Sequence, residues 1–221
     1  MTLSRRPFII AALLSVVSLV FIAIVYPRLP SPMPVHWNWR GEVDGWGPRW
    51  TIFLLGALPL ALVALFRMVP KIDPRGDSYE KHERAYQVLV LAVPLLLVAV
   101  TWLSIAVALG VAIRIEVVVP ILVGLLFILI GNFMPQIRFN YSFGIRLPWT
   151  LASEESWRRT HRLGGYVFIA LGMVFIATSL LPAPAGPKWL VALAVFISLL
   201  GYLFLYAYRV WKNDEDKKAI G

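Results

Sequence analysis

Runs of about twenty apolar residues, each free of charge through its middle, recur along the chain. Short segments rich in Arg, Lys, Trp, Pro and Gly divide them. The runs fall at about 7–27, 51–70, 86–111, 115–135, 164–183 and 188–210. An α-helix rises about 1.5 Å per residue, so about 20 residues cross a hydrocarbon core about 30 Å thick. No water is available there to satisfy backbone groups, so each run must close its own hydrogen bonds as a helix. The pattern predicts an all-α integral membrane protein, one transmembrane domain of six helices. Its longest connections are 28–50 and 136–163. Ala112 to Arg114 predicts a tight link between the third and fourth spans, and Pro184-Ala185-Gly186-Pro187 another between the fifth and sixth.

Composition agrees. The 221 residues are 59% hydrophobic, above the ~45–50% of soluble domains, and mean hydropathy is +0.75. The net charge of +9 flanks the apolar runs, which points to anionic lipid headgroups rather than nucleic acid. Its distribution sets an expected orientation, because cytoplasmic loops retain Lys and Arg. With the N-terminus inside, the inner segments carry Arg5, Arg6, Arg67, Lys71, Arg75, Lys81, Arg84, Arg138, Arg146, Arg158, Arg159, Arg162, Arg209, Lys212, Lys217 and Lys218. The outer segments carry only Arg28, Arg40, Arg49, Arg114 and Lys188. Both termini are therefore expected in the cytoplasm. Ser4-Arg5-Arg6-Pro7 reads as a charged anchor for the first span rather than an export signal, because Tyr26-Pro27-Arg28 offers no small-residue cleavage site.

In the first outer loop, Pro30, Pro32 and Pro34 force extended backbone. Gly41, Asp44-Gly45 and Gly47 then permit tight turns. A compact, ordered loop is expected. Trp37, Trp39, Trp46 and Trp50 suit an interfacial aromatic belt or a docking surface, with His36, Asn38, Arg40, Glu42 and Asp44 as polar contacts. In the fourth loop, Ser153 is a candidate N-cap. Glu154 and Glu155 suit the first turn of a short helix lying on the inner interface, with Arg158, Arg159 and Arg162 near its far end.

Chemistry-bearing groups are sparse. Cysteine is absent, which excludes disulfides, thiol catalysis and zinc–thiolate sites. On the expected topology His36 lies outside while His82 and His161 lie inside, so the three cannot share a metal. The spacing of His82 and His161 with Glu80, Glu83 or Glu155 is not that of a metal site. No ionisable residue sits near mid-depth in a span, which argues against a proton-coupled pump. Neither a phosphate-cradling loop nor a catalytic serine–histidine spacing is present. No catalytic residue, metal or cofactor is expected.

The loops resemble those of the SdpI family of bacterial membrane proteins. In the first loop the resemblance rests on Leu29-Pro30, Pro34-Val35-His36-Trp37-Asn38 and Gly41-Glu42-Val43-Asp44-Gly45. After the second span it rests on Pro70-Lys71-Ile72-Asp73-Pro74. The fourth loop adds Gly131-Asn132, Asn140, Gly144-Ile145-Arg146, Pro148-Trp149-Thr150-Leu151, Trp157 and Thr160-His161-Arg162. Leu147 departs from the Thr expected there. The resemblance implies a non-enzymatic toxin-immunity and signalling protein. It would protect against a secreted peptide toxin and, with toxin bound, hold a small transcriptional repressor at the membrane. His36, Trp37, Asn38, Gly41 and Asp44 are the expected toxin-binding residues. Asn132, Asn140, Arg146, Pro148, Trp149, Thr150, Trp157, His161 and Arg162 are the expected structured inner-loop site. A transporter or flippase for an amphipathic molecule, and a membrane enzyme using Asn140, Arg146 and His161, are the rival readings.

Overall fold

A computed structural model describes residues 3–182 and 185–217. Among these residues, six helices are long and apolar enough to span a bilayer, and the protein is a multi-pass membrane protein. The helices are α1 (Arg6–Val25), α2 (Thr51–Ile72), α4 (Glu83–Ala108), α5 (Ile115–Phe133), α7 (Glu154–Leu180) and α8 (Ala185–Lys212). Two short helices, α3 (Ser78–Lys81) and α6 (Pro148–Ala152), lie in connections at one end of the bundle. At the other end, β1 (Met33–Trp37) and β2 (Val43–Gly47) form a hairpin. Pro184, which opens the expected 184–187 turn, lies outside the described residues, as do Ala183 and Lys218.

The bundle consists of two groups of three. Helices α1, α2 and α4 pack on one another, α5 packs on α7 and α7 on α8, and the α4–α5 contact joins the groups. Large apolar side chains such as Ile24, Leu54 and Leu190 stay exposed, facing where lipid would be. Several buried hydroxyls are satisfied by their own helix or its neighbour. Ser15, Thr101 and Ser104 donate to carbonyls four residues back, and Trp102 Nε1 donates to Ser18 Oγ at 2.9 Å.

The α5–α7 pair is set by glycine. A Cβ at Gly131 would stand 2.7 Å from the Gly165 carbonyl, and one at Gly165 would stand 2.8 Å from the Gly131 carbonyl. Gly124 and Gly172 oppose each other in the same way one heptad along. The pairing of 131 with 165 and 124 with 172 makes the helices antiparallel. Bare backbones let them approach closely, which matters in lipid, where apolar burial itself drives little association.

The structure corrects four expectations. The fifth span begins at Glu154, not near 164, so the fourth loop ends at Ser153 rather than 163. The segment expected as a separate interfacial helix forms the first turns of α7. Ser153 Oγ accepts the Ser156 amide at 2.8 Å, and Glu155 pairs with Arg158 and Arg159, so nothing breaks the helix before Gly164. The short helix in this loop is instead α6. The third span stops at Ala108, because Gly110 (φ +86°) closes a Schellman turn, its amide bonding Val107 O and the Val111 amide bonding Ala106 O. Finally, Ala185-Gly186-Pro187 opens α8 rather than forming a turn.

Candidate functional site

The hairpin and the fourth loop form structured sites at opposite ends of the bundle. In the hairpin, Met33 lies opposite Gly47 and Trp37 opposite Val43, with register shifts around His36. The expected extended segment is therefore a strand, with proline tolerated because the two-stranded sheet leaves edges free. Asn38 builds the tip. Its Oδ1 accepts the amides of Arg40 (2.8 Å) and Glu42 (3.1 Å), and its Nδ2 donates to Glu42 Oε2 at 2.9 Å. Gly41 supplies the left-handed φ of +77°. His36 Nδ1 lies 2.5 Å from Asp44 Oδ1 across the strands.

Leu29 and Met33 anchor the hairpin among Ile22, Ile52 and Ile105. The tip reaches the other half of the bundle, where the Glu116 side chain packs over Gly41 and the Trp39 ring over Gly186. Trp39, Trp46 and Trp50 are exposed, whereas Trp37 is half-buried. Beneath Trp39 an apolar recess of about 650 Å³ opens between α7 and α8, lined by Phe175, Trp189, Leu193 and Phe196.

The opposite end is a buried polar cluster. Asn140 is fully buried. Its Oδ1 accepts the amides of Ser142 (3.0 Å) and Phe143 (2.6 Å), and its Nδ2 donates to Arg138 O at 2.8 Å. The Thr150 hydroxyl accepts the Leu147 amide and donates back to the Ile145 carbonyl, both at 2.8 Å. Trp157 donates from Nε1 to Ile137 O at 2.9 Å and stacks on His161, ring centroids 4.1 Å apart. His161 Nε2 accepts the Ile145 amide at 2.9 Å, so the ring proton sits on Nδ1 and donates to Trp157 O. Both ring nitrogens are thus committed to backbone and not presented to a cation.

Other expected residues of this site stand apart. Arg146 is exposed and donates from Nη1 to Tyr141 O at 3.1 Å. Pro148 opens α6, and Trp149 packs against Phe204, Tyr208 and Trp211 of α8. Asn132 donates to its own helix at Ile128 O, and Arg162 points outward on α7.

The structure adds three residues to this site: Asp73, Tyr79 and His82. Asp73 ties the second loop to the fourth, accepting the Arg75 amide (2.8 Å), the Tyr79 hydroxyl (3.1 Å) and the Tyr141 amide (3.1 Å). Burial opposes its ionisation, but these bonds and one from Ser142 outweigh it and hold the carboxyl below the usual range. Burial, and then the Asp73 charge, push the Tyr79 phenol up. His82 accepts the Arg138 amide on Nδ1 at 3.3 Å, and its buried Nε2 has no partner among the described residues. Burial, reinforced by the Arg138 charge and opposed by Asp73, lowers it to about 4. A helix-ending Asp73-Pro74 was the visible hint of the first. Tyr79 and His82 gave no pattern of their own.

The SdpI/YfhL protein family model matches residues 136–207, which covers most of the fourth loop and both following helices. Residues 13–60, including the hairpin, match a domain of unknown function, DUF1648. Immunity protein SdpI of Bacillus subtilis (strain 168) is 22% identical over 207 residues, covering 93% of this chain and 96% of that protein. Over its last third the chain is similar to the SdpI/YfhL family, and over most of its length to an immunity protein. Both structured ends of the protein lie within the matched segments, apart from the Asp73–His82 strap that braces the fourth loop. No solved structure matches the chain.

Proposed function

We propose that this protein confers immunity against a secreted, membrane-active peptide, which it meets at the hairpin. The observation that carries the reading is the near full-length similarity to an immunity protein. The geometry supports it. The hairpin is anchored at its base and pre-ordered by Asn38 and the His36–Asp44 contact, so docking costs little entropy. Exposed Trp39 and Trp46 beside an apolar recess suit an amphipathic peptide, with Arg40 and Glu42 at the tip as polar contacts.

The role is binding rather than catalysis. The fourth-loop end carries the signal, as a surface on which a small repressor is held when toxin is bound. Exposed Arg75 and Glu154, joined at 2.8 Å, lie on that surface.

Complementation tests the reading. Cells lacking the gene, grown in spent medium of their parent strain, should be killed. Wild-type protein should rescue them, and the variant with His36, Asn38 and Asp44 all changed to Ala should not, at equal membrane abundance. Equal rescue by that variant would remove the hairpin from the mechanism.

A further inference from the structure

We infer that the cleft between α7 and α8 at the fourth-loop end is a binding site for the headgroup of an anionic phospholipid. Arg158, Arg159, Arg162, Tyr166 and Tyr206 line a cavity of about 420 Å³ there. Arg158, Arg162 and Tyr166 follow one another at intervals of four residues, so they form a single stripe along α7. Tyr206 faces them from α8.

Charge favours an anion. Glu155 pairs with both Arg158 (2.6 Å) and Arg159 (2.5 Å), so one carboxylate serves two guanidinium groups. Among the described residues Arg162 has no carboxylate partner. Three fixed cations against one anion leave the cleft positive, and guanidinium forks suit phosphate oxygens. The acidic tail residues Asp214, Glu215 and Asp216 line the neighbouring depression, together with Arg209. They bound the site away from the membrane.

Depth favours a lipid over a soluble phosphate. Helix α7 has 27 residues and ends at Leu180, so it is about 40 Å long, about 10 Å more than the hydrocarbon core. About 20 residues back from Leu180 brings the hydrocarbon boundary to the level of His161. That is where the arginine stripe lies, with Tyr166 just inside, at the depth where tyrosine rings sit in an interface. Exposed Met173, seven residues beyond Tyr166, continues the stripe as an apolar track for an acyl chain.

The test uses the full chain in detergent, with phosphatidylglycerol added and thermal unfolding followed. Phosphatidylglycerol should raise the melting temperature, and equimolar phosphatidylcholine should not. Arg162→Gln, which removes an exposed side chain with no carboxylate partner among the described residues, should weaken the phosphatidylglycerol effect about tenfold in lipid concentration. Arg162→Lys should retain part of it, and Arg49→Gln at the other end should retain all of it. Inorganic phosphate and glycerol phosphate at the same concentrations should leave the melting temperature unchanged. Three outcomes would overturn the site. They are equal stabilisation by phosphatidylcholine, an undiminished response in Arg162→Gln, and full stabilisation by soluble phosphate.

Discussion

The Ile145 amide donates to His161 Nε2 at 2.9 Å, and Gly144, the residue before it, is what makes this possible. Gly144 has φ +116°. A Cβ there would collide with His161 Nε2 and lie 3.2 Å from the Trp157 ring. Gly144→Ala therefore meets both backbone strain and a clash with two rigid rings. It should cost about 2–4 kcal/mol, read as a large drop in melting temperature in detergent. A wild-type melting temperature would show that the loop is not locked on His161.

Asn140 and Arg146 should separate sharply. Removing the buried Asn140 amide leaves two loop amides unsatisfied, so Asn140→Ala should cost about 2–4 kcal/mol. Arg146 makes one exposed bond to Tyr141 O. Arg146→Ala should cost no more than about 1 kcal/mol, and Arg146→Lys less, since one bond needs no planar fork. Chemical or thermal unfolding of the three variants checks the ranking. Equal losses for Asn140→Ala and Arg146→Ala would contradict it.

Stability should fall as the pH falls from about 6.5 towards 4. His82 titrates at about 4 in the fold and near 6.5 when unfolded. Between these values the unfolded chain binds a proton that the folded chain refuses, so acid favours unfolding. The contribution reaches about 2 kcal/mol by pH 5. His82→Asn should flatten the pH dependence of the melting temperature over that window. An unchanged slope would remove His82 as its source.

The glycine pairs should be intolerant. Gly131→Val or Gly165→Val puts a branched side chain against a carbonyl less than 3 Å from the Cβ position. Either should cost more than about 3 kcal/mol and lower folded yield. Gly201→Val, where a Cβ meets nothing within 4 Å, is the control and should be silent.

The spans were legible because a charge-free run of about twenty residues admits one solution in lipid. The start of α7 was not. Arg158, Arg159 and Arg162 look like loop, yet charge does not break a helix, and Ser153 caps it ten residues earlier than hydropathy suggests. Asn140, Trp157 and His161 could be picked out in sequence because their residue types are costly for a mere connection. Asp73 could not be joined to them, since its partner Tyr141 lies 68 positions away with no spacing to connect the two. The glycine pairs were hidden too. A heptad of two glycines becomes a motif only once the antiparallel alignment of α5 and α7 is known.

Orientation rests on the charge asymmetry between the two ends. Reporter fusions after residue 40 should be active only outside the cell, and fusions after residue 150 only inside. The reverse pattern would place the hairpin on the wrong side to meet a secreted peptide.

The most direct measurement is photocrosslinking from the hairpin. A photoreactive phenylalanine analogue is placed at Trp39, or at Trp149 as the opposite-end control, in cells exposed to parental spent medium. The account predicts an adduct with a small secreted peptide from position 39 and none from position 149. Protected cells that yield no peptide adduct at 39, or yield it only at 149, would contradict it.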